Sequence, residues 1–226
     1  MCGRFVQKTP LGDIRVLFET TNPVPNAAAR YNAAPTDNLA VVRYNPQARG
    51  RALDLLRWGL VPLWAKDLAF GPKCINARSE TIATNNIFKD AFERRRCLIP
   101  NDGFYEWKRL GGKATQPYAI RPQEDLFAFA GLWERWRGPH GKDVESAALL
   151  TTEANDTVRP VHDRMPVILA PADHERWLDP SVQKPGALQP LLRPYPAEEM
   201  TGYPVTLWVN SPQHDDPRCV EPPPGG

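Results

Sequence analysis

The 226-residue sequence lacks the features that mark membrane and secreted proteins. No run approaches the roughly 18 consecutive apolar residues of a transmembrane helix, so we expect no membrane span. The N-terminus lacks the charged-then-apolar pattern of a secretory signal peptide, and we therefore expect a cytoplasmic protein. Neither sign of charge is in large excess, since the net charge is only +2. That value neither requires nor excludes a nucleic-acid partner, because a local basic groove can exist within a balanced total.

Cysteine is also scarce, with four residues at positions 2, 74, 97 and 219. None forms a C-x-x-C pair and no histidine stands near them at zinc-site spacing, so we expect neither a metal nor a cofactor. A reducing cytosol also disfavours disulfides. Cys74 and Cys97 have apolar neighbours and are predicted to be small buried hydrophobic residues.

Proline and tryptophan, by contrast, are abundant. The 25 prolines favour short elements and many fixed turns, and 42% hydrophobic residues with 7 tryptophans suffice for a packed core. No repeat or linker divides the chain, which indicates one domain. Many short strand-like runs with interspersed short helices predict an α+β domain with an antiparallel or mixed sheet.

Local patterns predict several elements. Thr9-Pro10 is typical of a helix start with Thr9 as the cap, and the stretch 21–35 is expected to be a loop. The last strand is predicted at Val205 to Val209. The segment 223–226 is expected to be a flexible tail.

Five stretches carry residues that folding alone does not explain. They are Cys2 to Arg4, Arg57 to Trp64, Ile75 to Thr81, Gly103 to Trp107, and Val161 to Pro166.

Two of these stretches hold candidate acids and bases. Strand alternation places Phe104 and Glu106 on one face, opposite Tyr105 and Trp107. A carboxyl group among aromatic rings would have a raised pKa and could act as a general acid, although a solvated outer-face glutamate is the plain alternative. His162 could shuttle protons near neutral pH, or it could be an ordinary loop histidine.

Other polar and aromatic residues suit a nucleic-acid ligand. Asn76 and Arg78 alternate with apolar neighbours, so both can face one site, where the guanidinium would clamp a phosphate. The alternative is a surface pair between Arg78 and Glu80, which would mean little. Trp58 and Trp64, like Trp107, could stack on bases or belong to the core.

Cys2 differs from an ordinary buried thiol if Met1 is removed. The residue would then carry a free α-amine, with a pKa of about 7.7–8.0, beside its own thiol. Such a 1,2-aminothiol combines two nucleophiles in one residue.

Together these stretches resemble the SRAP family, the SOS response-associated peptidases. The matching motifs are M-C-G-R, R-Y-N-A-A-P, R-W-G-L-V-P-L-W, N-A-R-S-E-T, D-G-F-Y-E-W, H-D-R-M-P and V-N-S-P. They run in order from Cys2 to about Pro222. The resemblance implies a single domain over 1–222 with a barrel-like mixed or antiparallel sheet and short peripheral helices.

The resemblance also implies a function. Members of the family cross-link covalently to abasic sites in single-stranded DNA during the DNA damage response. Cys2 matches the family nucleophile, and Asn76, Glu106 and His162 match its other catalytic positions.

The expected partner is therefore single-stranded DNA with abasic sites. Arg4 and Arg78 match residues that hold phosphates, with Arg164 as a further candidate. Trp58, Trp64 and Trp107 lie in stretches that line the DNA path, although the family's tandem tryptophan is single here because Ala65 follows Trp64. A monomer is expected, associated with the nucleoid if the source is bacterial, and partners at the replication fork are not specified.

Two alternatives stay open at this point. The same residues suit a thiol peptidase or autopeptidase that releases Met1 and uses Cys2 as an N-terminal nucleophile, and a lyase activity is compatible with them. A non-catalytic reader of modified bases would need the tryptophans and Arg78, with Cys2 dispensable.

Overall fold

The structure is a computed structural model that describes residues 2–224. Met1 and the last two residues of the expected tail at 223–226 lie outside the described residues, so flexibility of that tail stays a prediction. None of the helices in residues 2–224 combines the length and apolar character needed to cross a lipid bilayer.

Short strands dominate the described chain, in keeping with its many prolines. The strands are β1 (Phe5–Gln7), β2 (Arg30–Ala33), β3 (Asn38–Asn45), β4 (Gly50–Trp58), β5 (Asn76–Arg78), β6 (Arg96–Asn101), β7 (Gly103–Gly111), β8 (Ala114–Pro122), β9 (Phe127–Arg137), β10 (Asp143–Glu153), β11 (Arg164–Pro166), β12 (Ile168–Leu169) and β13 (Met200–Pro204).

The helices are equally short. The α-helices are α1 (Leu11–Leu17), α2 (Lys89–Arg94), α3 (His174–Leu178) and α4 (Pro185–Leu188). Short 3₁₀ helices lie at Leu68–Lys73, Pro139–Gly141, Pro171–Asp173, Gln189–Leu191, Ala197–Glu199, Leu207–Asn210 and Pro217–Val220.

Five strands of the larger sheet close into a barrel. Around the ring, β10 pairs with β4, β4 with β3, β3 with β6, β6 with β9, and β9 with β10. The β10–β4 pairing is parallel and the others are antiparallel, so the sheet is mixed. Further along, β5 and β11 pair with β10, and β12 pairs with β9. The predicted α+β class with a barrel-like mixed sheet and short peripheral helices is confirmed.

A smaller antiparallel sheet, in the order β13-β8-β7-β1-β2, packs against the barrel. Aromatic rings join the two sheets. The Phe5 ring lies 4.9 Å from Trp58 and 5.8 Å from Phe129, and Phe104 also meets Phe129 edge-on at 6.0 Å. Edge-to-face contacts of this kind stabilise a core beyond simple area burial. They fix β1 and β7 on the barrel, and Cys2 lies three residues before the start of β1.

The other face of the barrel strands is covered by the helices. Its core includes Ile14 of α1, Phe92 of α2, Trp177 of α3 and Leu188 of α4. Cys74 and Cys97 are both buried, as predicted.

Three local predictions were wrong. Thr9 does not cap α1, because its hydroxyl lies 2.5 Å from Asp102 Oδ1 and binds that carboxylate instead. Part of the expected loop at 21–35 forms β2, because Arg30–Ala33 pairs with β1. The expected strand at Val205 to Val209 is a 3₁₀ turn at Leu207–Asn210, and the last strand is β13.

The loop between β4 and β5 depends on two glycines in close contact. Gly59 has a φ of 114°, a left-handed region that favours glycine. A Cβ on Gly59 would lie 2.7 Å from the Gly71 carbonyl oxygen, and a Cβ on Gly71 would lie 2.7 Å from the Gly59 carbonyl oxygen. The two ends of the loop that presents Trp64 therefore approach more closely than side chains allow.

Candidate active site around Cys2

Cys2 lies at the point where the two sheets meet. Its side chain is fully buried, and its Sγ points to the Arg4 carbonyl oxygen at 3.7 Å. Burial raises the pKa of the Cys2 thiol well above its ordinary value, and the neighbouring Glu106 carboxylate raises it further. The thiol is therefore protonated at neutral pH and needs a base at the moment it reacts.

Glu106 lies on β7 and shares its face with Phe104. The predicted alternation is observed, since Phe104 packs in the core with Cys2 while Tyr105 and Trp107 pack in a separate cluster. The Glu106 side chain is only 3% exposed. Burial raises the pKa of its carboxyl group to about 7. Near neutral pH this group can therefore both give and take a proton.

Asn76 holds the backbone of Cys2. It begins β5, which β10 holds through the pairing of Asn76 with Leu149. Its Nδ2 donates to the Cys2 carbonyl oxygen at 2.8 Å. Its buried Oδ1 has no hydrogen-bond partner among residues 2–224, which leaves an acceptor beside Cys2.

His162 lies in the turn that leads into β11. Its Nδ1 accepts a hydrogen bond from the Arg164 backbone N–H at 3.0 Å. This contact favours the neutral tautomer that carries its proton on Nε2. Burial lowers the pKa of His162, which favours this neutral form. The next residue, Asp163, contributes to the raised pKa of Glu106, which places the turn close to Glu106.

The three predicted phosphate ligands differ in their surroundings. Arg78 is exposed and makes no hydrogen bond or ion pair among residues 2–224. Arg4 is half-buried, and its Nη1 donates to Asn32 Oδ1 at 2.9 Å and to the Val209 carbonyl oxygen at 3.1 Å. Arg164 forms a two-bond pair with Glu80 at 2.6 and 3.0 Å. Only Arg78 therefore presents an uncommitted guanidinium in this conformation.

The three tryptophans also differ. Trp58 does not fit its predicted DNA contact, because it is 0% exposed and its Nε1 donates to the Ile75 carbonyl oxygen at 3.1 Å. It supports the strand that carries Asn76. Trp64 is 59% exposed and presents its ring to solvent beside Phe70. Trp107 is half-buried, with its Nε1 2.7 Å from Asn210 Oδ1.

Two supporting residues were not singled out from the sequence. Asn32 is fully buried, and its Nδ2 donates to the carbonyl oxygens of Val209, Ser211 and His214. With its Oδ1 holding Arg4, it ties the C-terminal segment to the start of the chain. Glu80 pairs with Arg164, whereas the sequence suggested Arg78. Both residues lie inside the motifs quoted above, but spacing gave no indication of partners so distant in sequence.

Comparison with known proteins places this chain in a family. The family described as SOS response associated peptidase (SRAP) matches residues 1–212. The abasic site processing protein YoqW of Bacillus subtilis is 42% identical over 224 residues, which cover 98% of this chain and 99% of that protein. The abasic site processing protein HMCES of Gallus gallus is 32% identical over 225 residues, which cover 85% of this chain and 66% of that protein.

Solved structures agree in fold. A protein from Bacteroides thetaiotaomicron has a TM-score of 0.88 at 24% identity, covering 98% of this chain and 99% of its own. A phage-related protein from Bordetella bronchiseptica has a TM-score of 0.72 at 32% identity, covering 90% and 94%. Because the family match spans most of the sequence, this chain belongs to the SRAP family, the SOS response associated peptidases.

Proposed function

We propose that this protein captures abasic sites in single-stranded DNA as a covalent thiazolidine at Cys2, after removal of Met1. The names of its relatives supply the substrate class, since they are abasic site processing proteins. The observation that carries the proposal is the arrangement around Cys2. Asn76 holds its carbonyl oxygen, and its buried thiol lies next to a carboxyl group with a pKa of about 7.

The reaction begins with the opening of the abasic sugar. The closed hemiacetal opens when the bond from C1′ to the ring oxygen breaks, with Glu106 donating a proton to that oxygen. The proton on the C1′ hydroxyl leaves to solvent, which gives the aldehyde. Glu106 is suited to this step because its raised pKa keeps a large protonated fraction near neutral pH.

The two nucleophiles of Cys2 then act in turn. Its α-amine adds to the aldehyde carbon, and loss of one water molecule gives an imine. The thiol sulfur adds to the same carbon, while the thiol proton moves through the Glu106 carboxylate to the imine nitrogen. One water is released overall, and Glu106, left as a carboxylate by ring opening, regains its proton from solvent. Ring closure is intramolecular, and this makes it fast.

Asn76 and His162 are assigned supporting roles in this scheme. Asn76 Oδ1 is a buried acceptor with no partner among the described residues, and it suits an N–H of the Cys2 amine. The neutral His162 ring carries its proton on Nε2 and can donate it to a sugar oxygen during water loss or reversal.

The DNA path is assigned from exposure. Arg78 is the phosphate contact with the most accessible charge, and the exposed face of Trp64 suits stacking on any flanking base. Trp107 can contribute the part of its ring that is not buried. Recognition of this kind carries little sequence preference, because every base has a π-face.

The test is a denaturing gel of the protein incubated with a single-stranded oligonucleotide carrying one abasic site. We expect a heat-stable shifted band that is lost in Cys2→Ala and retained in Cys74→Ala, a matched buried cysteine. An N-terminal extension that blocks the amine but leaves the thiol should also abolish the band. Peptide turnover without any shifted band would favour the peptidase alternative. Reversible binding that is insensitive to Cys2→Ala would favour a non-covalent reader.

A further inference from the structure

The ion pair between Glu80 and Arg164 links two motifs that are far apart in sequence. Glu80 Oε1 and Oε2 lie 2.6 and 3.0 Å from the two terminal nitrogens of Arg164. The Arg164 side chain is only 15% exposed, and its Nη2 also donates to the Thr151 carbonyl oxygen at 2.8 Å. A partly buried bidentate pair of this kind has a fixed geometry, unlike an ordinary surface ion pair.

Arg164 also contacts the catalytic histidine through its backbone. Its N–H donates to His162 Nδ1 at 3.0 Å. The backbone here is anchored to β10, since Arg164 pairs with Glu153 and the Asp163 carbonyl accepts from the Ala154 N–H at 3.0 Å. The side chain and the backbone of Arg164 therefore fix the same turn from two sides.

We propose that Glu80 is a positioning residue that acts through Arg164 to hold His162 as a neutral imidazole with its proton on Nε2. Glu80 does not touch the reacting atoms. By occupying the guanidinium it keeps Arg164 on β10, and this keeps the Arg164 N–H aimed at Nδ1. The contribution of this arrangement to the rate of DNA capture rests on the proposed function, but the state of the His162 ring does not.

Two other charged groups near His162 do not hold the ring in this tautomer. The Asp163 carboxylate lies 3.0 Å from Nδ1 and would favour a proton on that nitrogen, but its side chain is 87% exposed, so solvent weakens this interaction. Arg109 acts in the opposite direction on the pKa of His162. Neither group supplies the donor that Nδ1 needs in order to place the proton on Nε2.

The first experiment is ¹⁵N NMR of the His162 side chain in the full-length protein without DNA, at one fixed pH near 7.5. The wild type should show a proton-bearing Nε2 and an unprotonated Nδ1. Glu80→Ala and Arg164→Lys should lose this single tautomer and show an Nδ1–H population or protonation. Asp156→Asn, which removes an exposed ion pair with Arg159 in the same segment, should leave the ring unchanged. An unchanged His162 spectrum in Glu80→Ala would overturn the proposal.

The second experiment measures the rate of cross-linking to abasic DNA at saturating oligonucleotide. Glu80→Ala should slow capture about tenfold, a part of the roughly 10²–10⁴-fold that a positioned acid or base contributes. The effect should vanish when Arg164 is already alanine, because the two residues act in series. Additive effects in the double variant would contradict the proposal. So would tighter DNA binding by Glu80→Ala with an unchanged capture rate, since Glu80 would then merely compete with phosphate.

The two hypotheses can fail separately. If the wild type forms no cross-link, the proposed function fails while the NMR comparison still decides whether Glu80 sets the state of His162. If the wild type cross-links and the His162 ring ignores Glu80, only the positioning role fails.

Discussion

At the residue scale, Glu106 is a titratable group of this site whose pKa lies near neutral pH. Its carboxyl group is buried beside the Cys2 thiol, and burial raises its pKa from 4.5 to about 7. The raised pKa lets Glu106 act as an acid near neutral pH. The same raised pKa means that ionising Glu106 destabilises the folded state. Function and stability are therefore opposed at this residue.

Glu106→Gln should reveal that opposition in the free energy of unfolding. Below about pH 4.5 the carboxyl group is protonated in both states, so wild type and variant should differ little. As pH rises from about 4.5 to about 7 the unfolded chain ionises first, and the wild type loses stability. By pH 8 the variant should be more stable by about 3 kcal/mol, from about 1.36 kcal/mol per pKa unit. Urea unfolding at pH 5 and pH 8 measures this, and equal stability at pH 8 would count against a buried, ionising Glu106.

At the scale of elements, the strands place the site and one loop reaches out from it. The barrel strand β10 holds β5 on one side and β11 on the other, so Asn76 and His162 are supplied by segments bound to one strand. The β4–β5 loop begins just after the buried Trp58 and presents Trp64 to solvent.

The two tryptophans in this region should therefore behave differently when replaced by alanine. Trp58→Ala should lower the free energy of unfolding by about 3–5 kcal/mol, because it empties a fully buried core position. Trp64→Ala should leave stability nearly unchanged and weaken binding to single-stranded DNA by about 1–3 kcal/mol. Thermal unfolding and fluorescence anisotropy separate the two, and a large loss of stability in Trp64→Ala would contradict this assignment.

Gly131 on strand β9 lies at a tightly packed position of the barrel. A Cβ on Gly131 would lie 2.8 Å from Cys97 Sγ and 2.9 Å from Ile99 Cδ1. Gly131→Ala should therefore destabilise the fold by about 1–3 kcal/mol, as overpacking does. Gly12→Ala is the matched control, since nothing lies within 4 Å of its new Cβ in α1, and it should stabilise by about 0.4–1 kcal/mol. Both values come from denaturant unfolding, and a neutral Gly131→Ala would show that β9 has room to move.

Local sequence pattern was sufficient for strands with clear alternation but not for contacts made across the fold. The β7 alternation placed Glu106 correctly because period-two patterning needs only neighbouring residues. The helix cap at Thr9 was wrong because Asp102, far away in sequence, binds its hydroxyl. In the same way, the burial of Trp58 and the partner of Glu80 depend on which strands meet. Contacts between distant strands are set by tertiary packing, which the periodicity of the sequence does not encode.

At the scale of the whole molecule the net charge is only +2, so we expect DNA binding to depend on locally exposed cations and not on an overall positive charge. Binding to single strands should weaken with salt in proportion to the number of phosphates contacted, by about 0.7 in the log–log slope for each. In a Cys2→Ala background, which prevents capture, Arg78→Ala should reduce that slope by about 0.7. Arg94→Ala removes another exposed charge, on α2, and should leave the slope unchanged. Equal losses from both variants would mean that binding senses total charge alone.

The central claim concerns one carbon atom and the two atoms of Cys2 bonded to it. Mass spectrometry of the purified adduct, digested and treated with borohydride, tests it directly. We expect the abasic sugar on the peptide beginning at Cys2, with one water lost, and no uptake of hydride by the adduct, because a thiazolidine has no C=N bond. A sugar attached to any other residue, or an adduct at Cys2 that borohydride reduces, would contradict it.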